Sequence, residues 1–422
     1  MSILHKIRSS GEPVFYFDEL LRSSDSRDRI FLLAPVLLSL LCLILGFANI
    51  TNYCLFGEGM DLEIFRFAGE QLKQNASLYS GFTEETGLGL AYIYPPFAAI
   101  VFIPLTWLPL RDIITIWTLL TVVVVFTVLF LVTRRLAPQR SKVYALVLSC
   151  LFLGPALLFE PIAANIYYAQ IDIFLFLLVA LDVLDFLPRP LRGLGIGLAA
   201  AIKVTPASFA VIFLARRDWY AVAVSAGTFL FLALIGYAVV PAQSVEFWTD
   251  VAWDTTRAGA FDYWLNQSIS AFLSTAGVEN AAIPRIMTWV LVVFAVIAIW
   301  AAWKFALADR SVSALAFVLL SVLLSTPISV THHWAGMVIA IPMLFMFKDR
   351  MLTYGLCLFV FCGILVGINN HSGFEENFGD FVYENPWFIL RSIGIFGIAL
   401  YLQFLAAAIR IAPTKLKNHE DS

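Results

Sequence analysis

Along this chain the apolar positions fall into nearly unbroken runs, at 30–50, 113–133, 143–159, 173–187, 219–240, 286–303, 312–326, 334–347, 351–368 and 386–408. About 20 apolar residues make a helix that crosses a bilayer core, and several of these runs are near the lower limit for a tilted span. The pattern predicts an all-α polytopic membrane protein of about 11–12 transmembrane segments, some short or broken. Two stretches are less regular. Residues 96–110 follow Pro95 and carry Pro96, Pro104 and Pro109, which suits a re-entrant or interfacial segment. Residues 192–214 have Lys203 and Pro206 at their middle and read as two half-helices meeting near the outer surface, since irregular backbone at membrane depth survives only inside protein or around a cavity. From Asp61 onward the period changes: Leu62, Phe65, Gly69 and Leu72 share one helix face, with Glu63, Arg66, Glu70 and Lys73 displaced from it, as in a helix lying flat at the interface.

Composition agrees with the runs. The chain is 60% hydrophobic and only 14% charged, with a mean hydropathy of +0.85, which excludes a soluble protein. A net charge of −3 leaves no basic footprint for nucleic acid. Counting Lys and Arg in the short connections with the N-terminus inside puts 20 of the 27 on the cytoplasmic side, provided 96–110 does not cross and 192–214 is a hairpin open to the outside. The resulting organisation is a cytoplasmic segment 1–29 leading into a retained helix, a transmembrane module 30–240 with an outer loop 51–111, a second outer loop 241–285, a further transmembrane module 286–408 and a cytoplasmic tail 409–422. The larger loops are external, so function is expected there, on the periplasmic side of the plasma membrane. Five cysteines, with no CxxC pair and no His at ligand spacing, read as small core residues.

The outer side gathers acids (Glu58, Asp61, Glu63, Glu160, Asp172, Asp250, Asp254, Asp262) and aromatics (Trp248, Trp253, Tyr263, Trp264, Trp387). Carboxylates accept hydroxyl hydrogen bonds and aromatic faces pack on apolar ring surfaces, so this face suits a ring-shaped polar substrate attached to lipid; part of the aromatic set is equally an interfacial belt. Asp61 opens its helix either as an N-cap or as a base held just outside the membrane. Glu160, Asn165, Gln170 and Asp172 are polar groups at the ends of two spans, serving as helix-to-helix glue or as substrate contacts. An unpaired Lys203 between apolar half-helices needs water or an anion, and a lipid phosphate is the obvious anion, with backbone donors of the half-helix after Pro206 beside it; snorkelling to ordinary headgroups is the plainer alternative. His332 and His333 diverge by about 100° on a helix, and no HxxxH, HExxH or DxD pattern accompanies them, so hydrogen bonding or proton handling fits better than metal binding.

Taken in order, Met60-Asp61-Leu62, Tyr94-Pro95-Pro96-Phe97, Glu160-Pro161 with Tyr168-Ala169-Gln170-Ile171, Lys203-Val204-Thr205-Pro206, Asn266-Gln267-Ser268 and the run 325–334 resemble glycosyltransferase family 87. The likeness is strongest to its α-1,2-mannosyltransferases of phosphatidylinositol mannoside assembly. It departs from the family pattern at Ala169, where glycine is usual, at Asp172, where Asn is usual, and at Val330, where Trp is usual. The resemblance implies a GT-C fold, a polyprenyl-phosphate-mannose donor, a glycolipid acceptor, no cofactor and no metal. It implies Asp61 as catalytic base and the His332–His333 pair in the active site, and the charge argument above adds Lys203 at the donor phosphate. Glu63, Tyr94, Gln170, Asp172, Asn266, Gln267 and Trp334 are then candidate substrate contacts. The family also contains arabinofuranosyltransferases, and a secondary transporter is the rival of another class. No matching motifs in the two halves of the chain support the transporter.

Overall fold

The computed structural model describes residues 26–56, 59–80, 91–254, 257, 259–263, 265–344, 350–370 and 393–411. Glu58, Trp264, Trp387 and most of the two terminal segments lie outside the described residues. The helices are α1 (Ser26–Phe56), α2 (Met60–Gln74), α3 (Pro96–Phe102), α4 (Leu110–Leu136), α5 (Lys142–Leu158), α6 (Glu160–Tyr167), α7 (Asp172–Val183), α8 (Leu194–Ile202), α9 (Ala210–Arg216), α10 (Trp219–Val239), α11 (Ile283–Leu307), α12 (Ser311–Ser325), α13 (Arg350–Asn370) and α14 (Ile393–Ile409), with short helices at Pro241–Glu246, Ile269–Thr275 and Ala340–Leu344. The protein is an all-α, multi-pass membrane protein. Four described helices are long and apolar enough to cross a bilayer, α4, α10, α11 and Val36–Cys54 of α1, and α5 with α6, bent by 71°, makes a fifth.

Local sequence sets the helix ends. Ser141 accepts the N–H of Tyr144 and Asp218 that of Ala221, so each caps the helix that follows it. The bend between α5 and α6 falls where Pro161 follows Glu160, since proline supplies no N–H to continue the α5 ladder but fits the first turn of a new helix. The segment 96–110 is too short to cross: α3 is followed by a single 3-10 turn at Ile103–Thr106 before α4 starts.

The helices that position the site are short. At about 1.5 Å per residue, the 12 residues of α7 and the nine of α8 rise only about 18 and 14 Å, against a hydrocarbon core of about 30 Å. Asp172 starts α7 and Lys203 follows the end of α8, so the two helices carry these charged groups at neighbouring ends. Asp182 fixes the opposite ends: fully buried, it accepts the N–H groups of Gly193 at 2.6 Å and Ile196 at 3.0 Å and so starts α8 against the end of α7. Gly195 lets the two backbones meet, because a Cβ there would overlap the Leu178 carbonyl oxygen. At this same end the connecting loops are tied by ion pairs, Arg192 with Asp185 (3.0 Å) and Asp218 (2.9 Å), and Arg135 with Asp309 (2.6 Å).

Two expectations are corrected. The expected span 334–347 is irregular over its described part, 334–344, and residues 345–347 lie outside the described residues. Thr331–Ile339 is a 3-10 helix followed by Ala340–Leu344, and every side chain from Trp334 to Met343 is buried in protein. Enclosed packing rather than lipid sets its path, with Gly336 pressed against Phe176 and Leu319. The cysteines are not uniformly core residues: Cys42 is buried, whereas Cys150 and Cys357 are exposed on apolar helix faces. The stretches 30–240 and 286–408 contribute to one continuous apolar core, which runs from Ile50 to Ala408.

The turn from α6 to α7 carries a strained residue. Ala169 has φ 53°, the left-handed region that costs an L-residue with a Cβ roughly 1 kcal/mol. Ala169→Gly is expected to stabilise the protein by about 1 kcal/mol and to raise its thermal midpoint in detergent, while Ala169→Val lowers it.

Candidate active site

Asp61 is placed by backbone geometry. Gly59 caps α2 in the left-handed conformation (φ 57°), where a Cβ would also collide with Ile114, so Asp61 is the second helical residue and not the cap. Its N–H donates to the Tyr168 carbonyl at 3.2 Å, which docks the α6–α7 turn on the start of α2. That turn is itself fixed: the Gln170 N–H donates to the Asn165 carbonyl at 2.8 Å, and the Gln170 carbonyl accepts from Trp117 Nε1 at 3.2 Å. The Gln170 side chain hydrogen-bonds Asp61. Burial raises the Asp61 carboxyl to about 7; the Gln170 bond and the Lys203 charge pull it down, and the Asp172 carboxylate adds to the rise. Glu63, two residues on, projects about 200° around α2 from Asp61 and does not share its face.

Lys203 is not unpaired. Its Nζ lies 2.6 Å from Asp172 Oδ1, with the two side chains only 18% and 14% exposed, and 5.8 Å from the Tyr94 ring centroid. Helix packing, which no local pattern reveals, brings the end of α8 to the start of α7. The backbone donors expected after Pro206 are also corrected: Thr205–Phe209 is a five-residue 3-10 turn, followed by the seven residues of α9, too short to form an aligned helix terminus aimed at an anion.

His332 and His333 enter from the 3-10 segment with ring centroids 4.7 Å apart, held by the His333 N–H on the Val330 carbonyl at 2.9 Å. His332 is edge-on to Tyr168 at 5.6 Å. Tyr168, which the sequence reading did not single out, thus touches the histidine pair through its ring and Asp61 through its carbonyl. Its signal in the sequence was its place in the Tyr168-Ala169-Gln170-Ile171 motif, between two expected spans.

Asn266, Gln267 and Trp334 serve the frame. Asn266 is fully buried. It donates to Phe261 O (3.1 Å) and Ser270 Oγ (3.0 Å), accepts from the Ser329 N–H (2.9 Å) and forms an antiparallel bridge with Val330. Gln267 donates its N–H to Ser329 O at 2.8 Å and accepts from the Gly394 N–H at 3.1 Å, while Trp334 packs against Gly397 and Phe359. These residues hold the histidine segment in place, and their side chains are directed into the protein.

An open cleft lies beside the Asp172–Lys203 pair and His333. Its polar end is formed by Asp172, Lys203, Ser329 and His333, and its walls by apolar residues of α7 and α12, among them Leu175, Phe176, Leu319 and Leu323. Asp61 is not in its lining and is coupled to the polar end through Gln170, Asp172 and Lys203. Asp172, His332 and His333 present potential metal-ligand atoms within 4.8 Å of one another. The sequence did not offer this set because Asp172 is remote in the chain. Asp172 already faces the Lys203 ammonium, so a divalent ion there would have to displace one positive charge or sit beside it.

A polar end beside an apolar cleft, with a carboxylate near neutral pKa at hand, is suited to chemistry on an amphiphile. Residues 92–330 match the model of glycosyltransferase family 87. The chain belongs to glycosyltransferase family 87. The matched stretch includes Gln170, Asp172 and Lys203 and stops short of Asp61 and the histidines. Among relatives, the chain is 34% identical, over 66% of its length and 68% of theirs, to a polyprenol-phosphate-mannose-dependent α-(1-2)-phosphatidylinositol mannoside mannosyltransferase of Mycolicibacterium smegmatis. It is 31% identical to the protein of the same name from Mycobacterium tuberculosis, over 78% of this chain and 81% of that one. A phosphatidylinositol pentamannoside mannosyltransferase of M. smegmatis is 30% identical over 66% of this chain and 67% of its own. Among solved structures, ArnT from Cupriavidus metallidurans bound to undecaprenyl phosphate is a distant likeness, with a TM-score of 0.40 and 15% identity over 90% of this chain and 76% of that one.

If Asp61 is the base, as the family resemblance implies, protonating its carboxyl abolishes activity. With the carboxyl raised to about 7, kcat/KM is expected to climb with pH, at one decade per unit below about pH 7, and then to level off. Asp61→Asn should cost about 10²–10⁴-fold and lose this limb. Activity of the Asn variant within threefold of wild type, well below that range, would remove Asp61 from the chemistry.

Proposed function

We propose that this glycosyltransferase moves mannose from polyprenyl-phosphate-mannose to a mannose hydroxyl of a lipid-anchored glycan, a phosphatidylinositol mannoside or lipomannan. The product linkage is α-1,2, formed with inversion at the periplasmic face of the plasma membrane. The observation that carries the reading is the cleft that joins a lysine and a histidine to apolar walls of α7 and α12, which fits a phosphate on a long hydrocarbon chain. The names of the relatives supply the sugar and the acceptor class. The partition of basic residues supports the outward placement of the site.

In this mechanism Asp61 takes the proton of the acceptor hydroxyl as its oxygen attacks the mannose C1 from the face opposite the phosphate. The C1–O bond to phosphate breaks and the electron pair stays on the phosphate oxygen. Lys203 and the histidine pair meet that developing charge with donors already in place, so the charge is stabilised without reorganisation. Tyr94 lies against the Lys203 ammonium and Tyr168 beside His332.

Purified protein incubated with polyprenyl-phosphate-mannose and phosphatidylinositol mannosides should yield a product one mannose longer with an α-1,2 linkage. Absence of transfer to any mannose-bearing lipid, or transfer only when polyprenyl-phosphate-arabinose is supplied as donor in its place, would overturn the reading. Because Lys203 and the histidines supply the phosphate donors, EDTA should leave the rate unchanged. Loss of activity on chelation with recovery in Mn²⁺ or Mg²⁺ would assign Asp172, His332 and His333 to a metal instead.

A further inference from the structure

The pairing of Lys203 has a consequence for how the product leaves. A site built only to hold phosphate would leave its lysine free or brace it with neutral acceptors. Here the brace is a carboxylate 2.6 Å away, at the polar end of the same cleft. The other oxygen of that carboxylate, Asp172 Oδ2, is buried without a hydrogen-bond partner among the described residues. Burying an acid beside a lysine costs desolvation, and an uncompensated carboxylate oxygen repels any anion that enters.

We propose that Asp172 sets the charge selectivity of the cleft, so that it holds the phosphodiester donor and releases the phosphomonoester product. This rests on the donor assigned above. The donor phosphate is a diester with a single negative charge. On transfer, the acceptor proton goes to Asp61, the C1–O bond breaks with its electron pair kept by phosphate, and the product is a monoester. Its second ionisation, near pH 6, gives it between one and two charges at neutral pH. A bare buried ammonium would bind this product more tightly than the donor it came from and would trap it. Paired with Asp172, Lys203 instead presents the positive end of a short dipole, strong enough to orient a monoanion in contact with it and opposed by a fixed negative charge as phosphate charge grows. The nearby groups are His332 and His333, which with Asp172 lie within 4.8 Å of one another, and Asp61, whose carboxyl interacts with both members of the pair. None supplies a second permanent positive charge.

The test is equilibrium binding to the purified full-length protein, with a short-chain polyprenyl-phosphate-mannose and the matching polyprenyl phosphate in competition. Wild type should prefer the diester. Asp172→Asn should tighten the monoester relative to the diester by about tenfold or more, since one opposing charge at this range in a partly buried site is worth at least that. If Asp172 merely holds Lys203 upright, the variant weakens both ligands alike and the ratio of their affinities stays fixed, which overturns the proposal. Should Asp172→Asn fail to fold, wild type alone decides through the monomethyl ester of the same polyprenyl phosphate, which removes one ionisation and little else. The methyl ester must bind more tightly than the parent monoester, and equal or weaker binding contradicts the inference. Failure of wild type to bind either lipid would instead strike the donor assignment, a result distinct from binding of both with an unchanged ratio.

Discussion

Charge in a low-dielectric setting must be compensated, and the architecture around the cleft follows from how this is done for one lysine. Lys203 ends α8 and Asp172 begins α7. The packing of these two short helices, nine and 12 residues long, brings the pair together. Removing either partner would leave the other buried and unpaired, so the register of α7 against α8 is under strong constraint. That register is pinned from the opposite end by the Asp182 carboxylate on the first turn of α8 and by the close approach that Gly195 permits. The helix lengths and the ion pair together define the floor of the cleft.

The same economy of contacts sets Asp61. The α6–α7 turn must carry Gln170 to the carboxylate and Tyr168 to the histidines, and it does so with the chain bent through the strained Ala169. The histidines arrive from the other half of the sequence, on a segment clipped to the second loop by Asn266 and Gln267. Three separate stretches thus converge on a few ångströms, and the residues that hold them do not need to touch substrate.

Much of this was legible in the sequence for a physical reason: in a chain with so few charges, each ionisable residue inside an apolar run is conspicuous. Asp61, Lys203 and the histidine pair stood out in this way, and proline positions revealed the short segment at 96–110 and the break after Lys203. Pairing was not legible. Nothing local says that Asp172 meets Lys203, because the contact depends on the crossing of α7 and α8, and so a lysine that is ion-paired read as free. Nor could hydropathy distinguish 334–343, an apolar stretch enclosed by protein, from one facing lipid, since both environments select the same side chains. Asn266 and Gln267 read as substrate contacts because a buried amide that fastens two loops has the same composition as one that meets a sugar.

In the proposed mechanism the donor phosphate sits at the Lys203 end of the cleft, within reach of Asp61. An experimental structure of the complex with polyprenyl-phosphate-mannose tests this most directly. The predicted result is a phosphate oxygen at about 2.7–3.2 Å from Lys203 Nζ, the hydrocarbon chain between α7 and α12, and the mannose C1 turned toward the Asp61 side. A phosphate bound elsewhere, with Lys203 and Asp172 still enclosed as a pair and no lipid in the cleft, would contradict it.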